Sequence, residues 1–384
     1  MTMKKFVTMW GNAISIADRR PENYAKDLTL RYPIHPVFDG DKIKITLDNF
    51  CGTDDVTVTE VYLAQNVKNG SKEIKKETLT AVTFGGKTSV KLPAGEAVVS
   101  DEIPFTVTKG NDISVSMYFG AFTQMRSAVL ITGPLSKGFY SVGNHATDEE
   151  LPLDYTRNTN WFYFLSNIEI YTDADNRALI CYGDSITSQS WPDYLTLRAE
   201  QNLENKTAIV RRAASGTRIL RQYNNITYDS YGLKGSIRFP REALVSGADT
   251  IIIQQGINDI IHPVGVGVNP FRPWSDLPTA EELIDGYHMY IQQARMYGLK
   301  VYMGTLLPIY GWRTYEPFRD TLRNEVNEWI RTTDEIDGVI DFDQALRDGF
   351  HPEAFAEGFD SGDHLHPSEK AYQKMAQVVP DIIL

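Results

Sequence analysis

The feature that most constrains the fold is a change in hydrophobic period partway along the chain. Before residue 171, short runs rich in Val, Ile, Thr and Tyr recur at close spacing and are separated by Asp-Gly, Gly-Gly and Lys-Gly-Asn turns. From residue 178 onward, short apolar runs alternate with helical patterns, and the polar stretch 171–177 separates the two regimes. We therefore predict two domains, 1–175 and 176–384.

The first domain is predicted to be an all-β sandwich of jelly-roll type, because many short strands separated by turn residues are typical of that class. No long amphipathic helix interrupts it. The strand-like runs are Leu28–Ile34, Lys42–Leu47, Val56–Ala64, Thr80–Phe84, Ser89–Leu92, Ile113–Phe119, Ala128–Ile131 and Asn167–Tyr171.

The second domain is predicted to be a parallel α/β sheet with helices on both faces, since strands that alternate with helices form three layers. Strand-like runs occur at 178–182, 208–211, 250–254, 300–305 and 338–342. The predicted helices cover 188–203, 279–297, about 317–332 and 367–379. Thr279 and Glu282 give the second of these predicted helices, 279–297, a capping-box start.

Composition excludes several classes of function. The 384-residue chain has a formal net charge of -12 and a pI of about 5.1, so it lacks the basic surface of a nucleic-acid binder and would be repelled by anionic membranes. The start of the sequence has no apolar core of a secretory signal, and we predict a cytoplasmic protein, although a cleaved leader would leave the same sequence. Two cysteines, Cys51 and Cys181, are interpreted as small apolar residues.

Four polar segments follow predicted strands or precede the last helix. Because the carboxyl ends of parallel strands meet at one edge of the sheet, we expect these segments to converge there. The segments are Tyr182-Gly-Asp-Ser-Ile-Thr187, Ala214-Ser-Gly-Thr-Arg218, Gly256-Ile-Asn-Asp259 and Asp360-Ser-Gly-Asp-His-Leu-His-Pro367.

These residue types are the parts of an acyl-transfer site. Ser185 is a candidate nucleophile and His366 the base that removes its proton, with Asp363 holding the other imidazole nitrogen. The tetrahedral intermediate needs hydrogen-bond donors, which the N–H of Ser185, the N–H of Gly216 and the Asn258 amide supply. Such a mechanism requires no metal and no organic cofactor.

The four segments resemble the ordered motifs of the SGNH (GDSL-type) hydrolase family, read here as GDSIT, the glycine of SGTR, GIND and DHLHP. The runs 84–103 and 305–332 are also similar to a bacterial subgroup with an N-terminal β-sandwich. The resemblance implies a flavodoxin-like hydrolase domain. It implies the same roles for Ser185, Gly216, Asn258, Asp363 and His366.

Other interpretations of these residues remain open at this stage. Asp184 and Ser185 could simply cap the following helix. Asp360, Asp363, His364 and His366 could instead bind zinc, although their spacing is not that of helical metallohydrolase ligands. His364 is interpreted as a rim residue.

Two aromatic loops, 269–274 and 310–315, follow the third and fourth strands of the second domain and should overhang the site. Trp274, Tyr310, Trp312 and Arg313 are the candidate substrate-binding residues, since aromatic faces beside arginine could stack a sugar ring or wall an acyl pocket. Packing against the β-domain is the alternative role for these loops.

We predict a serine esterase that acts on a small-molecule or oligosaccharide ester, with a short acyl group such as acetyl on a carbohydrate. The alternative within enzymes is a lipase, lysophospholipase or thioesterase for longer chains. The alternative from another class is a carbohydrate-binding protein with a silent hydrolase domain.

Overall fold

The computed structural model describes residues 3–17, 24–223 and 231–384. The chain divides into two compact units, one formed by 1–178 with 203–210 and the other by 179–202 with 211–384. Within the part of the chain that the structure describes, no helix combines the length and the apolar character needed to cross a membrane.

The first unit is built almost entirely from antiparallel strands. They are β1 Lys4–Gly11, β2 Ser15–Ile16, β3 Tyr24–Ala25, β4 Leu28–Ile34, β5 Gly40–Asp48, β6 Val56–Val58, β7 Glu60–Gln65, β8 Thr80–Ala81, β9 Val90–Leu92, β10 Ala97–Val99, β11 Ile103–Val107, β12 Ile113–Phe119, β13 Thr123–Gln124, β14 Ser127–Leu130, β15 Gly138–Val142, β16 Thr156–Thr159, β17 Trp161–Tyr163 and β18 Leu165–Asp173.

Two larger sheets dominate this unit. One has the order β1-β18-β5-β10, with β11 also paired to β5, and the other has the order β16-β15-β4-β12-β7-β8. Period-2 patterning explains their burial, since Ile43, Ile45 and Leu47 of β5 are fully buried while Lys44 and Thr46 between them are not. The predicted β-sandwich is confirmed.

The rest of the chain, from β19 onward, has an α/β pattern. Its strands are β19 Arg177–Gly183, β20 Thr207–Ala213, β21 Ala248–Gln254, β22 Lys300–Gly304 and β23 Gly338–Ile340. Its α-helices are α1 Ser185–Ser188, α2 Trp191–Ala199, α3 Gly235–Glu242, α4 Ile257–Ile261, α5 Ala280–Met296, α6 Pro317–Thr332, α7 Phe342–Leu346 and α8 Glu369–Val378.

The sheet order is β20-β19-β21-β22-β23, which is the 2-1-3-4-5 order of flavodoxin-like folds. β22 pairs in parallel with both β21 and β23. The helices pack in two groups, α2 and α7 with α8, and α5 with α3 and α6, as expected for layers on opposite faces of the sheet. The predicted α/β class is confirmed, and the first strand, β19, occupies an interior position whose carboxyl end carries Ser185.

Helix limits follow local capping chemistry. Thr279 and Glu282 form the predicted capping box at the start of α5. The predicted helix 188–203 is wrong in its limits, because the Asp184 carboxylate caps a short α1 and a break at 189–190 separates it from α2. The last helix begins at Glu369 rather than Pro367, since Ser368 is its N-cap and accepts a hydrogen bond from the Ala371 N–H.

Candidate active site

Ser185 lies at the first position of α1, directly after β19 ends at the interior of the sheet. Asp184 precedes it in a non-helical conformation and accepts a hydrogen bond from the Ile186 N–H at 3.0 Å. Thr187, one turn further on, is fully buried and donates to Gln254 Oε1 at the end of β21. These contacts fix the turn and leave the Ser185 hydroxyl half-buried at its surface.

The loop before α8 places an imidazole on that hydroxyl. His366 Nε2 lies 2.8 Å from Ser185 Oγ, and His366 Nδ1 lies 2.6 Å from Asp363 Oδ2. A carboxylate can only accept, so Nδ1 carries the proton and Nε2 presents its lone pair to the serine. The structure therefore brings these three side chains together in one hydrogen-bonded row.

Asp363 is held as a carboxylate by its surroundings. Partial burial alone would raise its pKa. The hydrogen bonds from the His366 ring and from the backbone N–H groups of Leu365 and His366 outweigh this effect, so the pKa lies well below its ordinary value. A permanently ionised acceptor keeps the imidazole in one tautomer and stabilises the imidazolium formed when the serine loses its proton.

The residues considered as zinc ligands pair off instead. His364 Nδ1 bonds Asp360 Oδ2 at 2.5 Å, while Asp363 bonds His366. In the ranges that the structure covers, no group of three or more His, Cys, Asp or Glu side chains converges as a metal site would require.

Gly216 lies in the loop after β20, where Ser215 Oγ is 3.2 Å from Ser188 Oγ of α1. Its φ of +79° is in the left-handed region, and a Cβ at this position would come within 2.1 Å of the Tyr231 ring. Only glycine satisfies both conditions. The loop is tied to the end of β19 because Ala214 N–H donates to the Gly183 carbonyl at 3.2 Å.

Asn258 lies in α4, after β21, and is almost completely buried. Its Nδ2 donates one hydrogen to the Thr217 carbonyl at 3.1 Å, directly after Gly216. The amide thus lies beside the Gly216 loop, and among the described residues its second hydrogen has no acceptor.

Two buried aspartates fix the neighbouring loops. Burial raises the pKa of Asp184 to about 7, opposed by its hydrogen bond from Ile186 N–H. Burial also raises the pKa of Asp259 to about 6, opposed by hydrogen bonds from the backbone N–H groups of Leu220 at 3.0 Å and Ile219 at 2.8 Å. Through these contacts both residues act as acceptors that fix the loops.

Sequence reasoning missed the residues beneath the site. Arg238 of α3 is buried, pairs with Glu242 at 2.7 Å and donates to Thr217 Oγ1 at 2.7 Å and to the Gly183 carbonyl at 3.4 Å. Gln255 donates to the same Thr217 hydroxyl at 2.9 Å. No motif marks Arg238, and its charged helix resembles an exposed one, so only the three-dimensional structure reveals that it joins the first two segments.

The predicted substrate-binding residues lie in two places. Gly311 packs on the His364 ring, which puts its neighbours Tyr310 and Trp312 beside the loop that carries His366. Tyr310 is 53% exposed, and the Arg313 guanidinium lies 4.6 Å above the Trp312 ring. The remaining residue contacts a different part of the unit: Trp274 has its ring against Phe318 and Arg319.

The comparisons with known proteins place the chain in a family. The family model for GDSL-like lipase/acylhydrolase matches residues 166–379, which is more than half of the chain. This chain belongs to the GDSL-like lipase/acylhydrolase family, so the resemblance noted from the four segments is confirmed. A search of curated proteins found no match.

Solved structures similar to this chain cover about half of it. A GDSL-like lipase from Bacteroides thetaiotaomicron is 16% identical, with 54% of this chain and 88% of that chain covered and a TM-score of 0.39. A lipase/acylhydrolase from Enterococcus faecalis is 19% identical over 53% and 92%, with a TM-score of 0.38. A carbohydrate esterase family 3 protein from Talaromyces cellulolyticus is 16% identical over 53% and 93%, with a TM-score of 0.36.

Proposed function

We propose that this chain is a serine esterase that hydrolyses carboxylic esters through an acyl-serine intermediate. The observation that carries the proposal is the hydrogen-bonded row from Asp363 through His366 to the Ser185 hydroxyl, with distances of 2.6 and 2.8 Å. An aliphatic hydroxyl is a weak nucleophile at neutral pH, and a neutral imidazole at this distance is the base that activates it.

The reaction proceeds in two steps. Ser185 Oγ attacks the ester carbonyl while its proton passes to His366 Nε2, and collapse of the tetrahedral intermediate expels the alcohol, which takes that proton. Water then attacks the acyl-serine with the same histidine as base, which releases the acid and restores the hydroxyl. Asp363 holds the imidazole in place throughout.

The proposed oxyanion donors are the N–H groups of Ser185 and Gly216 and the side-chain amide of Asn258. Three observations support them: Ser185 begins a helix, Gly216 leaves no side chain over its own amide, and Asn258 retains an amide hydrogen beyond the one given to Thr217. Preformed donors of this kind stabilise the developing negative charge without reorganisation.

We further propose that the chemistry resides in the second domain, 176–384, while 1–175 folds separately. The division into two compact units, with every proposed catalytic residue in the second, supports this assignment.

The preferred substrate in this proposal carries a short acyl group, such as acetyl, on a carbohydrate. Support comes from the exposed Tyr310 ring and the Arg313–Trp312 stack beside the loop of His366, since aromatic faces pack on sugar rings. Hydrolysis rates on 4-nitrophenyl esters should fall from acetyl to octanoyl. A rise along that series would favour a lipase, lysophospholipase or thioesterase instead.

The main test is replacement of the nucleophile. Ser185→Ala should lower kcat on 4-nitrophenyl acetate by about 10⁴-fold or more, because the acyl-enzyme can no longer form. The matched control is Ser246→Ala at an exposed serine, which should leave the rate unchanged. A fluorophosphonate should add one label, on Ser185, and labelling of another serine or retained activity in Ser185→Ala would contradict the proposal.

Chelation gives an independent check. Dialysis against EDTA should leave the rate on 4-nitrophenyl acetate within experimental error, because no step of the mechanism uses a metal. Loss of activity that added zinc restores would instead favour a zinc site at the Asp360–His366 loop.

A further inference from the structure

The loop before α8 contains a second histidine–carboxylate pair that the proposed mechanism does not use. Asp363 holds His366 at 2.6 Å, and Asp360 holds His364 at 2.5 Å through the same ring atom, Nδ1. Two residues of chain span at most about 7 Å, so the α-carbons of the two histidines lie within that distance of each other.

His364 has an uncommon backbone conformation. Its φ of +65° is one of three positive values among the non-glycine residues in the described ranges. Such a conformation is costly for a residue with a Cβ and persists only where the surroundings impose it. Asp360 supplies that constraint, since its Oδ1 accepts the N–H groups of Gly362 at 2.8 Å and His364 at 3.0 Å while its Oδ2 binds the ring.

A neighbouring loop is shaped to admit the His364 ring. Gly311 has a φ of +90°, and a Cβ there would lie 2.8 Å from His364 Cγ, so any other residue would push the ring away. The His364 side chain nevertheless remains 50% exposed. Backbone, carboxylate and glycine together hold one edge of this ring open to solvent.

The donor and acceptor pattern defines what this edge recognises. Nδ1 faces a carboxylate, so it carries the proton, and the neutral ring presents an acceptor lone pair at Nε2. Within the described portion of the chain, Nε2 of His364 has no hydrogen-bond partner, in contrast to His366, whose Nε2 meets Ser185. An unpaired acceptor on the loop that carries His366, in a half-exposed side chain, can bind a substrate group that donates, such as a hydroxyl.

We propose that His364 is a specificity-determining residue whose Nε2 accepts a hydrogen bond from a hydroxyl of the alcohol part of the ester. The substrates it favours are esters of polyhydroxy alcohols, such as acylated sugars, and the exposed ring of Tyr310, the residue before Gly311, is available to the apolar face of the sugar. This inference rests on the proposed esterase function and adds to it the group that selects the leaving alcohol.

The test compares two esters of the same acid, 6-O-acetylglucose and 4-nitrophenyl acetate. Both form the same acetyl-serine, and their different leaving-group reactivities cancel between enzymes, so a change in the ratio of their kcat/KM values from wild type to variant reports on how the alcohol is recognised. His364→Gly and His364→Asn should each lower the 6-O-acetylglucose to 4-nitrophenyl acetate ratio about fivefold, as expected for one lost hydrogen bond, mainly through KM on the sugar ester. Both replacements tolerate a positive φ, so at least one should fold as the wild type does.

The matched control is His351→Asn, which removes another exposed imidazole lying near a carboxylate and should leave the ratio unchanged. Equal losses on both esters, or a ratio within twofold of the wild type in the folded variants, would overturn the inference. So would a wild-type enzyme that cleaves 4-nitrophenyl acetate in a Ser185-dependent manner but not 6-O-acetylglucose, and that result would leave the esterase proposal intact. Ser185-independent hydrolysis would refute the esterase proposal itself.

Discussion

The turn that carries Ser185 and the loop that carries His366 reach the same hydrogen bond by different means. The turn is almost fully buried, with Asp184 and Thr187 both inaccessible to solvent and bonded to backbone or to the neighbouring strand. The loop is largely exposed, and its shape comes from Asp360 and Asp363, each of which accepts backbone N–H groups and an imidazole Nδ1.

The two regions differ in what their contacts do: those of the turn stabilise the fold, and those of the loop serve the proposed chemistry. Contacts within a buried turn contribute to folding, and their loss leaves unpaired polar groups in the interior. Exposed ion pairs contribute little to folding, yet here the same carboxylates orient the imidazoles. Substitutions in the loop should therefore change activity at small cost in stability, while substitutions in the turn should change stability.

The largest effect is expected from His366→Ala. Removal of the base should lower kcat on 4-nitrophenyl acetate by about 10⁶-fold, while the urea midpoint of unfolding changes little. The measurement pairs steady-state kinetics with urea unfolding followed by circular dichroism. A large loss of stability would show that the loop supports the fold and would break the comparison.

Asp363→Asn should have the next largest effect. An amide can donate to Nδ1 and so favour the wrong tautomer, and we expect kcat to fall about 10⁴-fold. The matched change at the other pair, Asp360→Asn, should cost less than about tenfold on 4-nitrophenyl acetate, because that carboxylate does not face the base. Similar losses in the two variants would contradict the division of roles between the pairs.

Asn258→Ala extends the comparison to a third segment. Loss of one oxyanion donor should lower kcat about 10²- to 10³-fold with KM little changed. Because the amide is buried and also serves the Thr217 carbonyl, a moderate loss of stability should accompany it. Full activity in this variant would remove Asn258 from the proposed oxyanion site.

The last prediction concerns the pH dependence of stability, which distinguishes the turn from the loop by sign. The pKa of Asp184 is raised to about 7, so its contribution to stability is complete below about pH 4 and is lost as pH rises through 7. Asp363 has a lowered pKa, so its contribution is present above about pH 4 and is lost as pH falls below that.

Asp184→Asn should remove the first of these dependences. Asparagine stays neutral at every pH, so the unfolding free energy of the variant relative to the wild type should increase by about 4 kcal/mol between pH 4 and pH 8. Urea unfolding at both values measures the change. A constant difference would show that Asp184 is ionised in the fold at both pH values.

Much of the fold follows from local patterns. The change of period predicted both classes, and the runs at 250–254 and 300–305 match β21 and β22 within two residues. Strands such as β1 and β15 were missed, because Lys4 to Gly11 and Gly138 to Val142 carry polar or glycine residues that weaken the alternation. Their positions depend on pairing with distant strands, which a single window does not contain.

For the site, the order of motifs predicted which side chains meet, because parallel topology brings strand ends to one edge. The hydrogen-bonded row of Ser185, His366 and Asp363 is the geometry that order implies. The roles of Arg238 and Gln255 could not be predicted, since burial and long-range partners decide them. The conformation of His364 likewise depends on a glycine from another loop, Gly311.

The glycine at position 216 restricts how this enzyme could be redirected toward new substrates. Any replacement would have to adopt a left-handed backbone and displace the Tyr231 ring at the same time, so random mutagenesis of this position should yield inactive clones almost exclusively. Libraries that aim to alter selectivity should therefore leave Gly216, a proposed oxyanion donor, unchanged and diversify Tyr310, Trp312 and His364.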